Sequence, residues 1–285
     1  MRLLFLLVAA LPLRAVHALG AGIARLVFAL SAGERRRLDE NLRGAGYADP
    51  ALRAATIRES GKMLLEMAWV WTRPQDEVVA RVCGVEGKAL VEAARSRGKG
   101  VIVLTPHLGA FEVAAHYFGA KLGPLTALYR PPRQRAFEPL VRAGRARGNV
   151  RLASADMRGV RALLRALKHG EAVGILPDQV PSRGEGAWAE FFGRPAYTMT
   201  LAMRLHESTG AEIVLLACER LPRGSGFRLR FAPFPDPAAG ESPERRLNRA
   251  LEDLIRELPE QYLWSYNRYK VPDDVPPPGA AAERG

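Results

Sequence analysis

Cys83 and Cys218 are the only cysteines in 285 residues. Two thiols so far apart in sequence exclude a disulfide framework and a cysteine-built zinc centre. Free, buried thiols in a reducing compartment are the expectation. Aromatic residues are scarce too, at 7%. The most basic stretch, Arg130 to Lys168, contains only Phe137, too little for a stacking platform along a nucleic-acid strand. No zinc-finger, helix-turn-helix or RNP signature occurs, so no nucleic-acid partner is expected. The chain shows no internal repeat.

Apolar residues make up 48% of the chain, enough for a packed core in one large domain or two small ones. Lys and Arg number 42 against 30 acids, giving a net charge of +12 and a pI near 10.3. An anionic partner follows: phospholipid, phosphorylated substrate or acidic protein. The excess is local, because Arg130–Lys168 holds eleven basic residues against Glu138 and Asp156.

At the N-terminus, Leu3 to Leu13 is uninterrupted apolar sequence, and apolar character continues to Leu30 around Arg14, His17 and Arg25. A clean spanning helix wants about 20 apolar residues. Arg14, Arg25 and Arg36 recur every eleven residues, which on one helix returns them to nearly the same face. A membrane-surface or shallowly inserted helix with arginines reaching headgroups is expected over residues 1–32. Arg35-Arg36-Arg37 just after it favours the cytoplasmic side. A cleaved signal peptide is the competing reading of the same residues.

Residues 34–71 read as helical with a break near Gly44–Pro50, closed by Trp69 and Trp71, which suit either a membrane interface or the core. From Val82 onward, short β-rich runs alternate with helical stretches. Strands are expected at Val101–Leu104, Leu125–Tyr129, Val150–Ala153, Ala172–Leu176, Glu212–Ala217 and Phe227–Phe231. Helices are expected at Lys88–Arg97, Phe111–Lys121, Arg133–Arg147, Arg158–Lys168, Thr198–Ser208 and Pro243–Leu258. The fold class is therefore α/β, a mostly central sheet flanked by helices, after an N-terminal membrane-associated helix and a helical segment. Residues 33–270 form one α/β domain on this reading, and the Pro- and Ala-rich tail 271–285 is expected to be disordered.

The chemistry concentrates at Thr105-Pro106-His107-Leu108-Gly109-Ala110-Phe111-Glu112, where an apolar strand gives way to a helix. Residues five apart on one helix point about 140° away from each other. His107 and Glu112 meet only if His107 lies in the turn and Glu112 opens the helix. Glu112 would then hold one imidazole nitrogen and leave the other to take a proton from a hydroxyl. His116 follows Glu112 by four residues, but the pattern is not H-E-x-x-H and no third ligand stands nearby, so no metal is expected.

Three further segments place polar groups after apolar runs: Tyr129-Arg130-Pro131-Pro132, Leu176-Pro177-Asp178-Gln179, and Glu260-Gln261-Tyr262-Leu263-Trp264-Ser265-Tyr266-Asn267-Arg268-Tyr269-Lys270. With the N-terminal helix and the H-x4-E motif, this ordered set resembles the bacterial lipid A secondary acyltransferases (lauroyl/myristoyl type), within the lysophospholipid acyltransferase superfamily. The resemblance covers most of the chain. It implies a fatty acyl chain moved from acyl carrier protein to a hydroxyl of a lipid A precursor, at the cytoplasmic face of the inner membrane. It implies no cofactor beyond that donor. Tyr266-Asn267-Arg268 stands where many lipid A enzymes show His-Arg-Arg, so a lysophospholipid, another glycolipid or an aminolipid stays open as acceptor.

On this resemblance His107 is the general base and Glu112 orients it and stabilises the imidazolium. Arg130 holds an acceptor phosphate, helped by Arg133. Asp178 and Gln179 position acceptor hydroxyls or brace the site, and Arg268 and Lys270 are further phosphate contacts. Residue by residue, other readings remain: a core histidine at 107, a surface arginine at 130, an Asx turn at Asp178, solvated charges at 268 and 270. A thioesterase or esterase, and a non-catalytic lipid-binding protein, are the readings of another class.

Overall fold

The computed structural model describes residues 7, 8, 10–132, 134–273 and 275–278. Half of the apolar run before Leu13, and much of the tail expected to be disordered, lie outside the described residues.

From Leu13 onward the described residues form α1 (Leu13–Leu30), α2 (Ala32–Gly44), α3 (Pro50–Thr72) and the short α4 (Gln75–Val79). Ser31 ends α1, and its hydroxyl accepts from the Glu34 amide to start α2. Asp49 caps α3 in the same way, with Pro50 at the first helical position. Because α1 stops at Leu30, Arg36 belongs to the next helix and does not share a face with Arg14 and Arg25 as expected.

One side of α1 is buried against α3. At Gly20 the backbones touch, since a Cβ there would lie 2.4 Å from the Gly61 carbonyl oxygen. His17, one of the polar residues that interrupt the apolar run, is buried, its Nε2 2.8 Å from Glu66. The outer side of α1 is apolar and exposed, with Leu19, Ile23, Leu26, Val27 and Leu30 in one stripe. The helix is long and apolar enough to cross a membrane. Trp69 is core and Trp71 packs under Gly144, so the pair serves the interior.

The sheet has seven strands: β1 (Val82–Glu86), β2 (Val101–Leu104), β3 (Leu125–Tyr129), β4 (Val150–Ser154), β5 (Ala172–Ile175), β8 (Glu212–Arg220) and β9 (Phe227–Pro233), in the order β1-β9-β8-β2-β5-β3-β4. From β8 to β4 every pairing is parallel, while β9 runs antiparallel to β8 and parallel to β1. A separate hairpin joins β6 (Gly186–Phe191) to β7 (Arg194–Met199). The helices between are α5 (Lys88–Ser96), α6 (Phe111–Lys121), α7 (Glu138–Arg145), α8 (Met157–Lys168), α9 (Leu201–Thr209) and α10 (Pro243–Glu257).

Central strands are buried on both faces, which is why they read as unbroken apolar runs. Alternate residues feed two cores. Val101, Val103, Leu125 and Leu216 pack with α6, whereas Ile102, Leu104, Ile175 and Leu215 pack with α8, α9 and α10. All six expected strands are present. The sequence reading missed β1 and the hairpin. The former carries Gly84 and is half-exposed at the edge; the latter turns on Phe192-Gly193, both at positive φ. Of the cysteines, Cys218 is buried as expected and Cys83 is exposed.

Candidate active site

His107 sits in the turn between β2 and α6, at the carboxyl end of the sheet's central strand. Arg130 follows β3 and Asp178 follows β5, so three neighbouring strand ends deliver them to one edge, where open α/β sheets bind ligands. The loop is pinned by backbone contacts from distant chain. Gly109 donates its amide to the Gln261 carbonyl (3.0 Å), and Ala110 donates to Cys218 (2.7 Å). Leu263 donates to the His107 carbonyl at 3.1 Å. Gly109 has φ +57°, and a Cβ there would fall 2.0 Å from the Cys218 carbonyl oxygen. Only glycine fits.

The imidazole is held by Asp178. His107 Nδ1 lies 2.8 Å from Oδ1, and the His107 backbone amide donates to Oδ2 at 3.0 Å. A carboxylate accepts, so Nδ1 carries the proton and Nε2 keeps its lone pair. The Gln179 side-chain nitrogen stands 3.2 Å from Nε2, on the side where a hydroxyl would deliver its proton. Asp178 is buried. Burial by itself would raise its carboxyl, but the electrostatic attraction of His107 and the two hydrogen bonds from it outweigh burial and hold the group below the usual range. Tyr262, packed beside it, is pushed the other way, well above the ordinary phenol, by burial and by the Asp178 charge.

Glu112 opens α6 as the spacing requires, yet among the described residues its hydrogen-bond partner is Arg145, not His107. Arg145 Nε bonds both carboxylate oxygens, at 2.8 and 3.1 Å, and Nη2 makes a third contact. The reason is reach. Arg145, at the end of α7, comes down over Tyr129 and Trp71 in cation–π contact and meets Glu112 from the α6 side. Nothing in the local sequence announced that pairing. His116 is buried beside them; burial first, and then Arg147, lower it to about 4, so it is neutral at pH 7. Among the described residues no group of three or more His, Cys, Asp or Glu is placed to hold a metal.

A cavity of 990 Å³ opens at this edge, lined by His107, Glu112, Arg130, Arg145, Gln179 and Glu185 among its polar walls. That is the upper end of the range for ligand pockets, about 300–1,000 Å³. Its apolar walls extend along both faces of the sheet. Toward α6 they are buried: Val103, Phe118, Leu125, Val150, Gly174 and Leu216. Toward α8 and α9 they are more open, with Met157, Val160, Leu164 and Leu201.

Arg130 is exposed at the mouth, 3.8 Å from Glu185. Arg133 lies outside the described residues. Arg268 is elsewhere. It is sealed in the interior, donating to the Tyr197 carbonyl, the Thr198 hydroxyl and Asn248, so the expected phosphate contact gives way to a structural one. Lys270 is exposed and does not line the cavity.

Behind the loop is a buried ion cluster that the sequence did not reveal. Arg220, with no exposed side-chain surface, bonds Glu66 at 2.7 and 3.0 Å, Glu59 at 2.9 Å and the Gly109 carbonyl at 3.1 Å. Burial alone would raise the Glu66 carboxyl; Arg220 and the hydrogen bond from His17 prevail and lower it.

A largely apolar cavity of this size beside a polarised histidine suits a substrate with a long hydrocarbon chain. The class that fold and sequence kinship define together is acyltransferase. Within it, the family profile of the bacterial lipid A biosynthesis acyltransferases matches residues 2–271, and the chain belongs to that family. It is 31% identical over 223 residues to the lipid A biosynthesis palmitoleoyltransferase of Escherichia coli (strain K12), covering 76% of this chain and 71% of that one. To the lauroyltransferase of the same organism it is 27% identical over 282 residues, covering 95% and 90%. To the myristoyltransferase the identity is 25% over 230 residues, covering 78% and 69%.

Proposed function

We propose that this protein moves a fatty acyl chain from acyl carrier protein to a hydroxyl of a lipid A precursor, working on the cytoplasmic face of the inner membrane with His107 as general base. The observation that carries the mechanism is the His107–Asp178 pair at the mouth of the apolar cavity.

The acceptor hydroxyl takes the place next to Nε2 that the Gln179 amide now faces. Nε2 removes its proton as the oxygen attacks the thioester carbonyl, and Asp178 stabilises the imidazolium that forms. The tetrahedral intermediate collapses, the carbon–sulfur bond breaks, and the thiolate takes the proton back from Nε2. No enzyme nucleophile is needed. Asp178 thus fills the orienting role that the spacing gave to Glu112. Glu112 acts at one remove, fixing the Arg145 guanidinium in the cavity wall, where its charge favours the developing oxyanion.

The buried lobe beside α6 suits the donor chain, which must be kept from water if transfer is to outrun hydrolysis. Arg130 at the mouth suits an acceptor phosphate. The exposed apolar stripe of α1, with Arg14 and Arg25 exposed elsewhere on the same helix, suits a bilayer surface. Mass spectrometry of the lipids from a strain lacking the protein tests the acceptor. A lipid A species lighter by one acyl chain is expected; an unchanged lipid A with a missing phospholipid or aminolipid refutes it.

A further inference from the structure

The basic segment has eleven cations by sequence, and the fold engages half of the ten it describes internally. Arg145 is bound to Glu112, Arg151 to Glu171, Arg135 to Glu138 and Arg130 to Glu185. Arg147 donates to the carbonyls of Val70 and Arg73. Apart from Arg142 on α7 and the half-buried Arg147, the described cations of the segment left without an ion pair are Arg158, Arg161, Arg165 and Lys168, all on α8 and all exposed. Their spacing of three, four and three residues sets them in one row over three turns.

That row has a definite place. The inner face of α8, with Leu163, Ala166 and Leu167, is packed on the sheet. Between the inner face and the cations run Met157, Val160 and Leu164, which line the cavity. One helix therefore carries unpaired positive charge outward and the cavity wall on its flank. A partner docked on the row is beside the open part of the cavity.

We propose that the outer face of α8 is the docking surface for the acidic carrier protein that presents the acyl thioester. This rests on the donor assigned above. Charge complementarity argues for it, since four cations in line, none in an ion pair, raise both encounter rate and orientation with an anionic protein surface. A bilayer is the less suited occupant. The exposed apolar stripe belongs to α1, which packs on α3 and the turn before β9, whereas α8 covers β3, β4 and β5 at the other end of the sheet. On α8 only Met157 is both large, apolar and exposed.

The test is a charge-reversal variant, R158E/R161E/R165E, assayed with lauroyl–acyl carrier protein and with lauroyl-pantetheine on the full-length enzyme. The expected result is that the ratio of kcat/KM for the carrier donor over the small thioester falls about tenfold or more, through KM. The wild-type ratio should also fall with added salt, and that dependence should flatten in the variant. Circular dichroism confirms that the variant folds, and R161A alone should give a smaller change in the same direction. If the enzyme uses the carrier donor but the ratio does not move, the docking surface is refuted and the donor stands. If wild type accepts lauroyl-pantetheine and never the carrier, both fall. If the ratio is constant while binding to anionic phospholipid vesicles is lost, the row faces lipid and the proposal is overturned.

Discussion

Asp178 grips His107 twice, taking the ring Nδ1 on one carboxylate oxygen and the His107 backbone amide on the other. A single buried side chain, from a strand end 71 residues further on, therefore sets the ring orientation and adds to the backbone contacts that hold the loop.

Replacing His107 with Ala removes the base. Acyl transfer should fall by about 10²–10⁴-fold, with an unchanged circular dichroism spectrum. A variant that transfers at near-wild-type rate ends the mechanism. Free fatty acid counted against acylated acceptor in the wild-type reaction checks that transfer, not hydrolysis, is the outcome.

Asp178→Asn keeps the shape and removes the charge, so kcat should drop by about 10²-fold or more while KM changes little. Glu112→Gln and Arg145→Ala should each lower kcat, and the double variant should be no worse than the poorer single one, because both act through one guanidinium. Combined with Asp178→Asn, their effects should add. If Glu112→Gln and Asp178→Asn were instead non-additive, Glu112 would act on His107 itself, as the spacing first suggested.

Gly174 lies in the wall of the buried lobe, and a Cβ there would have its nearest neighbour at 3.4 Å, on the Leu125 side chain. The position accepts a side chain that then occupies the lobe. Gly174→Leu should shift the product toward shorter acyl chains, by about fourfold in preference for each methylene excluded. Mass spectrometry of products from a mixed donor pool reads this directly; an unaltered chain-length profile places the donor chain elsewhere.

Glu66 predicts a pH-dependent stability. A carboxyl held low in the folded protein stabilises it above its unfolded value, about 4.3, and that contribution is lost as the pH falls through the lower folded value. Glu66→Gln should cost about 3 kcal/mol at pH 7 by leaving Arg220 underpaired. The gap from wild type should narrow as acid is added below about pH 4. Urea unfolding across that range measures it, and a constant gap would refute the assignment.

The elements that the sequence declared most clearly are those with one dominant period. β2 and β5 read as strands because both faces are buried, and α8 reads as a helix because its apolar and basic faces are separate. The histidine and its turn were equally legible, since a proline, a glycine and a lone base interrupt an apolar run. Its partner was not. Asp178 and Glu112 are both carboxylates near strand ends, and which of them reaches Nδ1 depends on β5 lying beside β2, a long-range fact without local signature. Arg145, Arg220 and Glu66 were hidden for the same reason, each being an ordinary charged residue until tertiary packing buries it. Arg268 misled in the opposite sense, because a basic residue in a polar tail looks solvated and here it is interior.

The contacts at Gly109 bind the first half of the chain to the last. Its amide and carbonyl are taken by Gln261 and Arg220, and the base beside it is steadied through Leu263. The His107 turn is thus completed by residues that are synthesised long after the histidine itself. On the proposed mechanism, a chain cut before Gln261 would keep the histidine and the cavity walls but lose the contacts that order the base, and it would not transfer acyl groups.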